Sequence, residues 1–178
     1  LSLDAILQTL LSLTLEKGII VDAVVASNET QAERLWRLRG GMVEAQRFEG
    51  GSIKHDISVK VSRVPEFIHR AVDAVIERLP GIRPCPFGHV GDGNIHFNLS
   101  QPLEMDTREY LSLQGEVNRI VLDIVADLGG SFSAEHGIGM LKLEEMQRYK
   151  DPVSVDLMRS IKQAIDPDGL FNPGKVLP

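Results

Sequence analysis

The stretch Phe87 to Ser100, FGHVGDGNIHFNLS, decides how the rest of the chain is read, because a turn and a strand are both legible within it. Gly91, Asp92, Gly93 and Asn94 signal the turn: glycine reaches positive φ freely, and Asx side chains bond their own backbone. From Asn94 to Ser100 polar and apolar residues alternate with a period of two, which predicts a strand with Ile95, Phe97 and Leu99 facing a core. Asn94, His96 and Asn98 then share the opposite face, and the turn can fold His89 back beside them. Two histidines brought together in this way predict half of a metal site, since imidazole is the commonest neutral metal ligand. The plain alternative is a strand whose outer face meets water.

Composition bounds what the remainder can supply. At 178 residues and 43% hydrophobic content, the chain suits one globular domain over residues 1–178, able to bury roughly two thirds to three quarters of its unfolded surface. The single cysteine, Cys85, excludes an internal disulfide framework and fits a reducing compartment, so a cytoplasmic location is expected. A net charge of −6 argues against a general nucleic-acid surface. The sequence has no apolar run of the roughly 18 residues that a spanning helix requires. GxGxxG and P-loop motifs are absent, so nucleotide-binding machinery is expected outside these residues. The apolar pattern Leu3, Ile6, Leu7, Leu10, Leu11 is already under way at the first residues, as in a chain cut from something larger.

Residues 1–17 read as a helix closed by Lys17-Gly18, and Ile19 to Ser27, rich in Ile, Val and Ala, reads as a buried strand. Asn28 is expected to cap a helix running to about Phe48, interrupted by Gly40-Gly41, a pair costing about 2 kcal/mol relative to two alanines. Ser52 to Val61 alternates, predicting a strand with His55, Ile57, Val59 and Val61 inward and a wet face of Lys54, Asp56, Ser58 and Lys60. Val64 to Leu79 reads as a helix stopped by Pro80-Gly81, with Pro84-Cys85-Pro86 as an approach to the opening motif. Asp106 is expected to cap a long helix to about Leu128, closed by Gly129-Gly130, and a last helix spans about Pro152 to Ile165. Strands and helices mix without regular βαβ alternation, which predicts an α+β fold.

A two-ligand site is incomplete, and Glu135-His136, between the short extended segment Ser131 to Ala134 and a Gly-Ile-Gly turn, is the best source of a third ligand. Adjacent residues on an extended segment point to opposite sides, so one can ligate while the other faces something else. Taken together, GHVGDGNIHFN, SAEHGIG and FNPGK resemble the C-terminal half of the flavin-linked oxidases of the D-lactate, glycolate and D-2-hydroxyglutarate dehydrogenase type, over essentially the whole chain and in order.

The resemblance implies a ferredoxin-like α+β fold and a chain that lacks the family's N-terminal FAD-binding half, itself an expected partner. It implies FAD-dependent oxidation of a D-2-hydroxy acid to the 2-oxo acid by hydride transfer to flavin, with the chain inactive alone. Carried over by position, it makes His89, His96 and Glu135 ligands of a divalent metal, expected to be zinc, and His136 a catalytic base turned toward substrate. Arg39, Lys54 and Asn98 would hold the acid substrate, and Asn172 and Lys175 would lie near the flavin. Val43 departs from the threonine of 2-hydroxyglutarate-type relatives; it cannot donate a hydrogen bond to a distal carboxylate, which favours leaving D-lactate or another hydroxy acid open. Two rival readings stand beside this one. A structural zinc could use Cys85 with His89, His96 and Glu135, and a metal-dependent hydrolase could use Glu135 as base, although no His-Glu-x-x-His motif is present. A homodimer and the identity of the electron acceptor are left open.

Overall fold

A computed structural model describes residues 2–89 and 91–177 and divides the chain into two compact units, residues 1–45 and 46–178. The first unit holds α1 (Leu3–Glu16) and α2 (Glu29–Ala45), neither with a buried residue. Gly18 at φ 64° closes α1, and the amides of Ile19 and Ile20 return to the Thr14 carbonyl, so the predicted C-cap forms. Asn28 caps α2 by accepting from the Gln31 amide at 3.0 Å.

Two expectations fail in this unit. Ile19 to Ser27 forms no strand; Ile19, Val21 and Val24 are exposed, because β propensity without a neighbouring ladder leaves the backbone groups unpaired. The glycine pair does not interrupt α2, and a Cβ at either position would meet nothing within 4 Å, so no backbone approaches there.

The second unit is built on a three-stranded antiparallel sheet of β1 (Ser52–Ser58), β2 (Arg83–His89) and β3 (Asn94–Ser100), in the order β1-β3-β2. The helix α3 (Val64–Arg78) joins β1 to β2, and a tight turn joins β2 to β3. After β3 come α4 (Thr107–Ser112) and α5 (Gln114–Asp127), then α6 (Leu143–Tyr149) and α7 (Pro152–Ile165). This is the α+β class expected. Past α5, Ser131 bridges Ser58 in antiparallel fashion at the free edge of β1, where a ferredoxin-like sheet carries its fourth strand.

The core lies between one sheet face and the helices. Ile53, Ile57, Ile95, Phe97 and Leu99 meet Phe67, Ala71 and Val75 of α3 and Val117, Val121 and Val125 of α5. Each fully buried side chain of this kind stabilises the fold by about 1.5–3 kcal/mol. Phe67 meets Phe97 edge-on at 5.5 Å between ring centroids, and the Tyr110 hydroxyl donates to the Leu99 carbonyl at 2.7 Å.

Several boundaries differ from expectation. The first strand ends at Ser58 and Val61 is exposed. The long helix after Asp106 breaks at Leu113, although Asp106 caps it as expected by accepting from the Arg108 and Glu109 amides. Pro84-Cys85-Pro86, read only as an approach to the opening motif, belongs to a strand, Arg83–His89. That strand tolerates Pro84 and Pro86 because it lies at the sheet edge, where an amide may be dispensed with.

Candidate metal and substrate site

The register determines which side chains can meet, since residues directly opposite across an antiparallel ladder project from the same face. Asp56 of β1 lies opposite His96 of β3, which lies opposite Phe87 of β2. Ser58, Asn94 and His89 form the row on one side, and Lys54, Asn98 and Cys85 the row on the other. The face away from the main core is therefore a continuous polar surface. Of the wet face expected for β1, Lys54 and Lys60 are exposed but Asp56 is buried, as are Asn94 and Asn98 on the neighbouring strand.

The loop after Ser131 is laid over this surface and brings Glu135 between the two imidazoles. Glu135 Oε2 is 3.3 Å from His96 Nε2, and Glu135 Oε1 is 3.6 Å from His89 Nδ1. The two rings stand edge to face with centroids 6.4 Å apart. His89 Nδ1 also lies 3.5 Å from Asp92 Oδ2. Donor atoms bound tetrahedrally at the usual zinc distances are about 3.3 Å apart, so the His96–Glu135 pair is already at ligand spacing. His89 and Glu135 are both about half-exposed, free to close on a cation. Two imidazoles and a carboxylate are donors of the kind a divalent metal takes, with only the His96–Glu135 pair at ligand spacing.

Another grouping is geometrically tighter: Asp56, His96 and Glu135 offer donor atoms all within 4.8 Å of one another. Its chemistry is less favourable for a ligand set, because Asp56 already accepts four hydrogen bonds, three of them at Oδ2. Oδ2 accepts from the amides of Ala134, Glu135 and His136 at 3.2, 2.9 and 2.8 Å, and Oδ1 accepts from Asn94 Nδ2 at 2.9 Å. Burial pulls the Asp56 carboxyl upward, but the hydrogen bonds from His136, Asn94 and Glu135 prevail and hold it below its ordinary value.

His136 is exposed beside the cluster, its ring centroid 6.1 Å from that of His96 and its Nδ1 3.9 Å from Asp56 Oδ2. Its carbonyl accepts from Ser133 Oγ at 2.6 Å, and Ser133 Oγ accepts from Lys142 Nζ at 2.8 Å. Lys142 is half-buried, and desolvation lowers its pKa against the opposing pull of Asp56 and Glu145. The Glu135–His136 loop is thereby held on one side by Asp56 and on the other by Ser133 and Lys142.

The remaining expected site residues are distributed as follows. Lys54 is exposed in the row with Asn98. Asn98 is buried and donates from Nδ2 to Gln46 Oε1 at 2.8 Å. Arg39 lies on α2 of the first unit. Asn172, at φ 49°, and Lys175 occupy a terminal turn whose Val176 amide donates to the Gly139 carbonyl at 2.8 Å, joining it to the loop that follows His136. Both line an apolar hollow of ≈ 720 Å³ with Met158, Ile161 and Phe171.

Cys85 is not a fourth ligand, which overturns the structural-zinc reading. It lies on the same strand as His89 and four residues before it, about 13 Å along an extended chain. Its sulfur instead meets Gln46 Nε2 at 3.1 Å.

The fold and this cluster are accompanied by a clear relationship. A family model for FAD linked oxidases, C-terminal domain, matches residues 4–176. The chain belongs to that family. This FAD-linked oxidase domain is 38% identical over 162 residues to a D-2-hydroxyglutarate dehydrogenase of Stutzerimonas stutzeri (strain A1501), covering 90% of the chain and 34% of the relative. It is 39% identical over 173 residues to the mitochondrial D-2-hydroxyglutarate dehydrogenase of Arabidopsis thaliana, covering 97% of the chain and 29% of the relative. A rat mitochondrial enzyme of the same name is 34% identical over 177 residues, covering 97% of the chain and 31% of the relative. The oxidase domain thus spans about a third of the length of the curated relatives it matches.

These relatives correct the cytoplasmic expectation, since those from Arabidopsis thaliana, Rattus norvegicus and Danio rerio are mitochondrial. A lone cysteine reports on redox conditions, whereas a cellular address is carried by targeting segments that composition does not reveal. Among the described residues no helix is long and apolar enough to cross a membrane.

Two residues escaped the sequence reading. Asp56 did so because the face it joins depends on register, although an aspartate in mid-strand, where aspartate is depleted, was a usable signal. Gln46, which opens the 3-10 turn Gln46–Phe48, carried no such signal.

Proposed function

We propose that this domain supplies the metal and substrate side of an FAD-dependent dehydrogenase acting on a D-2-hydroxy acid, with His89, His96 and Glu135 holding a divalent cation, zinc in the first instance. The observation that carries the reading is the Glu135 carboxylate lying between His89 and His96 on the polar sheet face. The relatives named D-2-hydroxyglutarate dehydrogenase favour D-2-hydroxyglutarate as the acid, although Val43 offers no hydrogen bond to a distal carboxylate.

When bound, the cation would lower the pKa of the substrate's α-hydroxyl and the flavin would take the hydride from Cα, leaving the 2-oxo acid. His136 takes the hydroxyl proton on Nε2, since its Nδ1 is turned toward Asp56. Lys54 supplies a point charge and Arg39 a planar fork for carboxylate, and the Asn98 amide adds a neutral donor. Lys54 and Asn98, in one row of the sheet, orient the acid so that its Cα–H faces the acceptor. Asn172 and Lys175 line the flavin side. The partners are the hydroxy acid and the FAD-binding half of a longer parent.

The test has two parts. Zinc titrated into the purified chain binds at about one equivalent, and His96→Ala abolishes that binding; no uptake by the unaltered chain refutes the metal reading. With a dye as acceptor, the chain alone does not oxidise D-2-hydroxyglutarate or D-lactate, whereas a chain joined to its flavin-binding half does. Turnover by the isolated chain would overturn the division of labour.

A further inference from the structure

We propose that Asp56 is the positioning residue of this site, its carboxylate setting the Glu135–His136 backbone and the His96 ring together. The inference deepens the metal reading above and rests on it for what Glu135 and His96 do. Asp56 stands in the middle of β1 with its side chain only 3% exposed, opposite His96 in the register. A buried carboxylate is costly unless its oxygens are satisfied. Here three consecutive amides, those of Ala134, Glu135 and His136, converge on Oδ2, an arrangement that backbone nests use to hold anions. The Ala134 amide is shared with the Asp56 main-chain carbonyl at 3.2 Å, whereas the Glu135 and His136 amides go to Oδ2, and Ser133 and Lys142 hold the far side of the loop. An acceptor bearing full charge makes each such bond roughly twice as strong as a neutral one.

The other oxygen faces β3. Oδ1 accepts from Asn94 Nδ2 and lies 3.7 Å from His96 Nδ1. His96 Nε2 is directed at Glu135, so Nδ1 is the nitrogen left for a second partner. A carboxylate on that side favours the tautomer with hydrogen on Nδ1 and a lone pair on Nε2, which is the form that ligates. With three bonds accepted at Oδ2 that oxygen is fully used, and the lone pair left on Oδ1 faces His96 Nδ1. One side chain therefore sets the backbone bearing Glu135 and His136 and the orientation of an imidazole on the neighbouring strand.

The test compares the metal-free chain with Asp56→Asn and Asp56→Glu by amide hydrogen exchange, followed by zinc titration. In the unaltered chain the Glu135 and His136 amides are protected. In Asp56→Asn their exchange accelerates by about tenfold or more while amides of α5 keep their rates, a pattern that general destabilisation would not produce. Zinc affinity falls by about tenfold to a hundredfold, the usual effect of removing an outer-shell partner. Asp56→Glu keeps the charge on a longer arm and gives the same direction of change; it decides the matter if the asparagine variant does not fold. Unchanged protection of the loop amides, or zinc affinity within about twofold of the original in either folded variant, overturns the proposal. Absence of zinc uptake by the unaltered chain removes the metal reading itself, whereas unprotected loop amides in a chain that binds zinc remove only the role of Asp56.

Discussion

The two faces of the sheet solve opposite problems with the same three strands. One face buries Ile53, Ile57, Ile95, Phe97 and Leu99 against α3 and α5, and its contacts are non-directional. The other carries Asp56, Asn94, His96 and Asn98, almost as buried, and joins them by directed hydrogen bonds to a loop and to Gln46. Stability is thus concentrated on the first face and geometry on the second. A substitution on the helix-packed face should lower stability first, and one on the polar face should disturb ligand geometry first.

Phe97→Ala is the largest expected disturbance of that division. The ring is fully buried against Phe67, and its loss costs about 3–5 kcal/mol, read as a lower denaturant midpoint at an unchanged slope. Any variant population that remains folded should still bind zinc. Loss of binding from a fully folded Phe97→Ala protein would show that the two faces are not separable.

The intermediate effect concerns His55, a titratable strand residue on the apolar face. Its Nδ1 faces the Phe97 carbonyl at 2.9 Å, and burial pushes its pKa below the ordinary 6.5 against the opposing pull of that carbonyl. Below that value the unfolded chain takes up a proton that the folded chain resists. Stability is then fully present above pH 6.5 and is lost as the pH falls, by at most about 1.4 kcal/mol per pH unit from this group. Unfolding curves between pH 7.5 and pH 5.5 should show that loss, and His55→Gln should flatten it. An unaltered slope in the variant would assign the acid sensitivity to another group.

Cys85→Ser should do least, although Cys85 shares the polar face. Its partner is Gln46 and its strand carries it away from His89, so stability should stay within about 0.5 kcal/mol and zinc affinity within about twofold. A large drop in affinity would return the cysteine to the ligand set.

How much of this could be read in the chain depended on whether each signal was local. Asn94 to Ser100 alternates cleanly, and the strand appears with the expected core residues. The caps at Asn28 and Asp106 were legible because an N-cap side chain bonds amides two or three residues away. Pro84 and Pro86 concealed β2, since proline argues against a strand until its edge position is known. Ile19 to Ser27 misled in the other direction, because propensity cannot provide a ladder partner. The expectation that Glu135 would come near His89 and His96 came from pairing incomplete ligand sets and from resemblance, and the fold brings the three together. Asp56 needed the register itself, a property of two strands at once.

The prolines of β2 have an outcome beyond the fold of one molecule. Pro84 and Pro86 carry no amide hydrogen, so the outward border of the sheet can offer oxygens to an approaching strand at those positions but no matching donors. A neighbouring chain therefore finds no full template there for prolonging the sheet from molecule to molecule, and self-association by that route is blocked at the sequence level. Two copies that pair must do so through some other surface.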